Sequence, residues 1–387
     1  MENKPLVSVF IPYYNDQEYL KDSIESVLNQ SYENWELILC NHASTDKSRE
    51  IAHSYKDQRI KHVDMPKNYG AGGGLVFKTM LDAAKGKYVK PFCADDFLYV
   101  DCLGKMVSFM EENPKVDFAF CDVTYVDEKG KSLNDSWFTA RPDFSVKNKE
   151  IELLKLYRKG IQTLPYIGSI VCREVLMDIH YDPSLIMMFD MSIWLQLLLQ
   201  GKKIAYIPEM LAAYRCHDNQ MSGEHQECIA LRRSYFEKPI FHDFFAEFEN
   251  VDLIKKVFSD DKYSGKLHDK KDIPFIVYHA YFTNSEELFH CYKLHELLDD
   301  ETYRQHLIKE FGYDVDNYRK EYSLSWVNLS KNTPFKKGFF KTIKLKINSK
   351  RNSELSFLEL LFLLIRRIFH IVTLSRFRHK KRKKYSL

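Results

Sequence analysis

Short apolar runs rich in β-branched and aromatic residues alternate with helix-like patterns over about the first 125 residues, the signature of βαβ units. Residues 6–11, 35–40, 60–64, 88–92 and 117–126 read as strands. Between them, residues 16–30, 46–55 and 74–85 carry apolar side chains at helical spacing. A further helix over 101–112 stops before Asn113-Pro114. This rhythm predicts an α/β fold with a mostly parallel sheet flanked by helices.

After residue 126 the rhythm breaks. Asp127-Glu-Lys-Gly130 reads as a turn, and residues 131–148 are polar enough to be expected as a mobile loop. Regular patterns resume with a helix at 150–159, a strand at 166–172, a helix at 190–200 and a strand at 203–208. Residues 226 to about 325 look helical and rich in aromatics, with no strand periodicity. Three regions are therefore expected: an α/β domain over 1–225, a helical region over 226–330 and a basic tail over 331–387.

Charge sharpens that division. The formal net charge of the 387-residue chain is +3. From Lys331 onward, 17 Lys and Arg face only Glu354 and Glu359, a net of +15, which leaves −12 on the first 330 residues. A tail of that sign suits anionic lipid or nucleic acid. Residues 355–374 approach the length of a bilayer span, about 20 residues. Yet Glu359, Arg366, Arg367 and His370 interrupt them, and mid-bilayer charges are costly. On a helix those four fall with Ser356 and Thr373 in one arc of roughly 120°. That pattern suits a helix lying in a membrane interface, with the seven basic residues between Arg376 and Lys384 reaching anionic headgroups. Residues 355–384 are thus expected on an anionic membrane surface, with no nucleic-acid partner. Packing of the same helix on the protein or on a second copy is the competing reading.

None of the eight cysteines falls in a C-x-x-C pair, which argues against a structural zinc site and for reduced, buried thiols in the cytosol. Residues 6–12 are too short and too strand-like for a signal-peptide core, so the body is expected to be cytoplasmic.

Ligands of open α/β sheets bind beyond the carboxyl ends of the strands, so the residues just after each strand are the informative ones. The first strand ends in Pro12-Tyr13-Tyr14-Asn15, where aromatics are available to stack on a base. The second ends in Asn41-His-Ala-Ser-Thr-Asp46, where Asp46 also suits a helix N-cap. The third leads into Lys67-Asn-Tyr-Gly70-Ala-Gly-Gly-Gly74, which lacks both the dinucleotide fingerprint and the P-loop Lys-Ser/Thr and reads as a flexible turn beside a ligand. The fourth ends in Cys93-Ala-Asp95-Asp96. Adjacent carboxylates there suit Mg²⁺ or Mn²⁺, ions that also bind diphosphates; a solvated turn with helix-capping acids is the alternative.

Together these segments resemble the family-2 group of inverting glycosyltransferases, whose fold is GT-A. Val7-Ser-Val-Phe-Ile-Pro-Tyr-Tyr-Asn15 is similar to V-S-V-x-I-P-x-Y-N, Asn41–Asp46 to D-D-G-S-T-D, and Ala84-Lys-Gly-Lys-Tyr88 to A-x-G-x-Y. Cys93-Ala-Asp-Asp96 with Asp101 resembles D-x-D-D-x-x-x-P-D, Phe189-Asp190-Met-Ser-Ile-Trp194-Leu resembles E-D-x-x-x-W-L, and Tyr214-Arg-Cys-His217 resembles Y-R-x-H. The resemblance covers about the first 225 residues.

The resemblance implies a nucleotide-sugar donor, UDP-sugar favoured, and a glycan or lipid-linked acceptor of the kind used in polysaccharide biosynthesis. Pro12, Tyr14, Asn15 and Asn41 would line the nucleoside pocket, with Lys67 near base or phosphate. Asp95 would face ribose or metal, Asp96 would bind a divalent cation, Mn²⁺ or Mg²⁺, and His217 would hold metal or diphosphate from the far side. Asp190 would be the general base; its other reading is a helix cap, and that of His217 is a packed histidine. Acceptor choice would fall to residues 131–148 and the helical region. The pattern is departed from at Asn41, His42, Cys93 and Phe189, each of which replaces an acid. Asn41, Cys93 and Phe189 favour the alternative of a degenerate transferase fold acting as a binding or scaffolding protein, against which the retained Asp95, Asp96, Asp190 and His217 argue. With the tail, the expectation is a peripheral enzyme on the cytosolic face of a membrane.

Overall fold

In the computed structural model, which describes residues 4–69, 73–140, 150–220, 227–285 and 288–321, four strands lie parallel in the order β3-β2-β1-β4. They are β1 (Val7–Tyr13), β2 (Trp35–Asn41), β3 (Ile60–Asp64) and β4 (Tyr88–Pro91). Helices α1 (Leu20–Leu28), α2 (Ser48–Ser54) and α3 (Gly73–Ala83) make the crossovers. Helix α1 buries Leu20, Ser23, Ile24 and Val27, one stripe at helical spacing against the sheet. It begins four residues later than its pattern suggests, because Asp16–Tyr19 form a turn whose polar groups serve the neighbouring loop.

The next elements are β5 (Phe97–Leu98), α4 (Cys102–Glu112), β6 (Phe118–Val126), β7 (Ser132–Ser136), α5 (Glu150–Arg158), β8 (Ser169–Cys172), α6 (Arg173–Met177), α7 (Phe189–Leu199) and β9 (Ile204–Arg215). Here the sheet turns mixed. Strand β8 runs antiparallel between β4 and β6, β9 is parallel to β6, and β5 pairs antiparallel with β9. Buried apolar strands read alike in either direction, so the sequence does not separate the two senses. The turn at 127–130 is present, with Gly130 at φ 79°, but part of the expected loop is β7, an exposed edge strand beside β6. Its polar sequence carries no alternation to announce it. Residues 141–149 lie outside the described residues. Residues 166–168 form a 3₁₀ turn rather than the start of a strand. Strand β9 runs on past Pro208 to Arg215, where register shifts opposite residues 121–123 accommodate the proline.

Two packing details explain motifs that otherwise look arbitrary. A Cβ on Gly86 would lie 2.6 Å from Ser8 N and 2.8 Å from Leu6 O, so only glycine lets the chain pass β1. There the Gly86 N–H donates to Ser8 Oγ, which donates to the buried Glu36; Lys85 N–H and the Lys61 ammonium also reach Glu36. Trp194 is fully buried in α7, its ring 4.9 Å from Phe120 edge-to-face and 6.0 Å from Phe118. It locks the helix whose first turn carries Asp190.

The region beyond β9 is helical, as its pattern indicates: α8 (Glu227–Ala246), α9 (Val251–Val257), α10 (Ile273–Ser285), α11 (Leu288–Asp299) and α12 (Glu301–Phe311). Residues up to Glu321 form one compact unit. No helix among the described residues is long and apolar enough to cross a membrane. The basic tail and the amphipathic segment at 355–374 lie outside the described residues.

Candidate active site

Strand β1 has β2 on one side and β4 on the other, so chain order reverses there and the carboxyl ends of these strands open a crevice. After β4, residues 93–96 form a tight turn, with Ser23 Oγ of α1 2.6 Å from both Ala94 O and Asp96 O. Across it β9 ends at the buried Arg215. The Arg215 backbone N–H donates to Asp96 Oδ1 at 2.9 Å and Nε donates to Asp95 O at 2.8 Å. Its Nη2 pairs with Asp22 at 2.9 Å. Two residues on, His217 Nε2 donates to Asp95 Oδ2 at 3.1 Å, leaving its buried Nδ1 with no protein partner among the described residues.

Cys93, Asp95 and Asp96 bring one ligand atom each within 4.8 Å of one another. Asp96 is 1% exposed, and its Oδ2 has no hydrogen-bond partner among the described residues. Burial, and then the neighbouring Asp95 charge, push the Asp96 carboxyl well above the usual carboxylate range. A buried carboxylate oxygen without a partner is costly, and a divalent cation satisfies it. The residues present fit such an ion.

The loops after β1 and β2 are knitted together. Asn15 adopts φ 57° and its Oδ1 accepts the Thr45 N–H at 2.8 Å, while Asp16 Oδ2 accepts the Tyr14 N–H. Burial pushes the Asp16 carboxyl up to about 7, helped by Asp95 and Asp46. Asp46 Oδ1 accepts the Ser48 N–H at the start of α2, with Lys47 at the N-cap position. Asn41 is buried, its amide donating to Asp64 and accepting the Ser44 N–H, so it shapes the turn after β2. Pro12 is half-buried in β1 opposite Cys40, and Tyr13 turns into the core. Tyr14 is left as the exposed aromatic on this loop. It and Tyr69 flank His42, with ring centroids 6.4 and 6.1 Å away, and the Lys67 ammonium sits 5.1 Å from the Tyr69 ring.

Asp190 lies in the first turn of α7, two residues past the N-cap Met188. Its Oδ2 accepts from Gln162 Nε2 at 2.5 Å and its Oδ1 from the Met191 N–H. Burial raises its carboxyl to about 6. Burial, and then the charges of Asp96, Asp95, Asp190 and Asp16, push the Cys93 thiol up.

Several participants escape sequence reasoning. Lys90 is fully buried in β4, its ammonium donating to Ile167 O; burial depresses its pKa, while its charge helps hold Asp96 down. A lone lysine within the apolar strand 88–92 was the available signal. Arg215 stands inside a recognised segment but organises the turn rather than merely accompanying it. His42 accepts the Tyr69 N–H at 2.8 Å through Nε2. Glu237 of α8 accepts the Met188 N–H at 2.8 Å and is buried, so the helical region fixes the entry to α7; no local pattern marks that contact.

The mixed sheet flanked by helices, with acids at the turn after β4, is the GT-A fold. The family model described as glycosyl transferase family 2 matches residues 8–179. An uncharacterised glycosyltransferase of Methanocaldococcus jannaschii is 32% identical over 226 residues, 57% of this chain and 74% of the relative. The putative teichuronic acid biosynthesis glycosyltransferase TuaG of Bacillus subtilis is 33% identical over 227 residues, 57% of this chain and 82% of the relative. Among solved structures, the 1–349 fragment of S. aureus TarS, in complex with UDP, superimposes with a TM-score of 0.51 at 16% identity, over 82% of this chain and 90% of that one. The chain belongs to glycosyltransferase family 2.

Proposed function

We propose that this glycosyltransferase moves a sugar from a nucleoside-diphosphate sugar, UDP-sugar favoured, to a hydroxyl of a glycan or lipid-linked acceptor by single displacement with inversion. The observation that carries the reading is the division of acids around one crevice. Asp95 and Asp96 cluster at the β4 turn, while Asp190 stands apart on α7 with its carboxyl raised to about 6. Single displacement needs a base on the acceptor side and positive charge at the leaving group.

Asp190 is assigned the acceptor side, where it takes the hydroxyl proton. A carboxyl poised near 6 is ionised at neutral pH yet basic enough to do so. Gln162 orients it through Oδ2. Asp95 and Asp96 would hold a divalent cation, Mn²⁺ or Mg²⁺, which would supply Lewis acidity and counter-charge to the leaving diphosphate. His217, anchored on Asp95, offers Nδ1 to metal or diphosphate. Pro12, Tyr14, Asn15, Asn41 and Lys67 border the nucleoside pocket, Asn15 and Asn41 by shaping the joined loops. UDP in the TarS fragment and the teichuronic acid assignment of TuaG support a UDP-sugar donor and a role in polysaccharide biosynthesis. Transfer belongs to residues 1–225, acceptor or partner contacts to 226–330, and attachment to an anionic cytosolic membrane face to 331–387.

The test is a panel of nucleotide sugars with Mn²⁺, reading released nucleoside diphosphate. Release from one donor, abolished by EDTA, is expected. Undiminished release in EDTA would overturn the metal role, and binding of nucleotide without release from any donor would favour the scaffolding alternative.

A further inference from the structure

Cys93 occupies the position where the family pattern places the first acid of its metal turn, and the substitution changes the chemistry of the turn without removing a ligand atom. Its sulfur lies within 4.8 Å of carboxylate oxygens of both Asp95 and Asp96. Thiols buried as hydrophobes, such as Cys40 and Cys121, sit in apolar strands. Cys93 instead is half-buried at a strand's carboxyl end. Asp96, whose Oδ2 is buried and without a partner among the described residues, belongs to the same cluster. Arg215 at the end of β9, buried and donating to Asp95 O, offsets the charge of an additional anionic ligand.

The geometry points to Cys93 as a metal ligand in its own right, making this a sulfur-and-oxygen centre that favours divalent ions softer than Mg²⁺, Co²⁺ and Zn²⁺ most and Mn²⁺ less. The inference rests on the cation site proposed above and adds to it the identity of a ligand and the class of ion. On coordination the S–H bond breaks, the proton passes to solvent and the thiolate pair forms the bond to the ion; nothing is oxidised or reduced. Sulfur ligands favour the softer ions, whereas Mg²⁺ takes oxygen ligands almost alone.

Co²⁺ serves as the probe, titrated into the full chain while the thiolate-to-cobalt charge-transfer absorption is followed in the near ultraviolet. Wild type is expected to develop that band at one equivalent, and Cys93→Ser and Cys93→Asp to lose it. Circular dichroism verifies that both variants fold, and Cys93→Asp, which restores the family's acid, keeps the turn intact should the serine variant misfold. The preference for Co²⁺ over Mg²⁺ in competition is expected to fall roughly tenfold or more in Cys93→Asp. Co²⁺ bound by wild type without the band, or a band that persists in Cys93→Asp, overturns the inference. Donor turnover is read on the same wild-type sample. Turnover without a band removes the thiolate ligand and leaves the transfer reading standing; a band without turnover does the opposite.

Discussion

Asp96 is held by protein on one oxygen only: Oδ1 takes the Arg215 N–H and Oδ2 is buried without a partner among the described residues. A group in that condition gains most from a cation and loses most when removed. Asp96→Ala is expected to abolish turnover and to weaken nucleoside diphosphate binding, leaving nucleoside alone bound about as before; calorimetry with the two ligands separates these outcomes. Ala43 makes a different point at the same scale. It sits at φ 60° where the family pattern has glycine, a left-handed conformation that costs an L-residue roughly 1–2 kcal/mol. Ala43→Gly should therefore raise stability by about 0.5–1 kcal/mol in urea unfolding, the relief of strain exceeding glycine's added chain entropy. An unchanged or lowered midpoint would mean that the turn does not carry this strain.

Among the elements, what the sequence made legible divides along physical lines. The strands β1 to β4, their helices and the turn at 127–130 come from local periodicity, and the site turns are legible because each ends a strand of a parallel array. Strand β7 and the far end of β9 were hidden: the first is a polar edge strand and the second passes through a proline by shifting register. The antiparallel sense of β8 is likewise a matter of long-range pairing, invisible in a short apolar run. Within the site, Asp95, Asp96, Asp190 and His217 stand out as residue types, but Lys90 and Glu237 act through tertiary contacts that no spacing encodes. Glu237 tests the contribution of α8. Glu237→Ala removes the acceptor for the Met188 N–H and should lower kcat about tenfold with donor KM little changed. Glu237→Gln, whose amide oxygen still accepts, should restore most of it; equal loss in both variants would assign the effect to charge rather than to positioning.

For the whole molecule, the sharpest feature is the charge split, −12 before residue 331 and +15 after it. An acidic body is repelled by an anionic surface, so the proposed attachment would come from the tail, whose Lys and Arg near a membrane would be worth about 1 kcal/mol each. Deleting residues 351–387 should release the protein from phosphatidylserine vesicles while sparing donor hydrolysis, and equal vesicle binding by the truncated chain would defeat that role. The central claim is nevertheless chemical: one carboxylate, apart from the metal turn, takes the acceptor proton. Because burial raises Asp190 to about 6, the ionised base is lost as pH falls through that value, and transfer should climb across it to a plateau above. Asp190→Asn keeps the shape and the oxygen that Gln162 contacts but cannot take a proton. Single-turnover transfer is therefore the measurement that tests the claim most directly, compared between wild type and Asp190→Asn with donor affinity measured in parallel. A fall of roughly 10²–10⁴-fold with donor affinity preserved is the predicted result; near-normal transfer by the variant would contradict it and reduce Asp190 to a residue that merely stabilises the start of its helix.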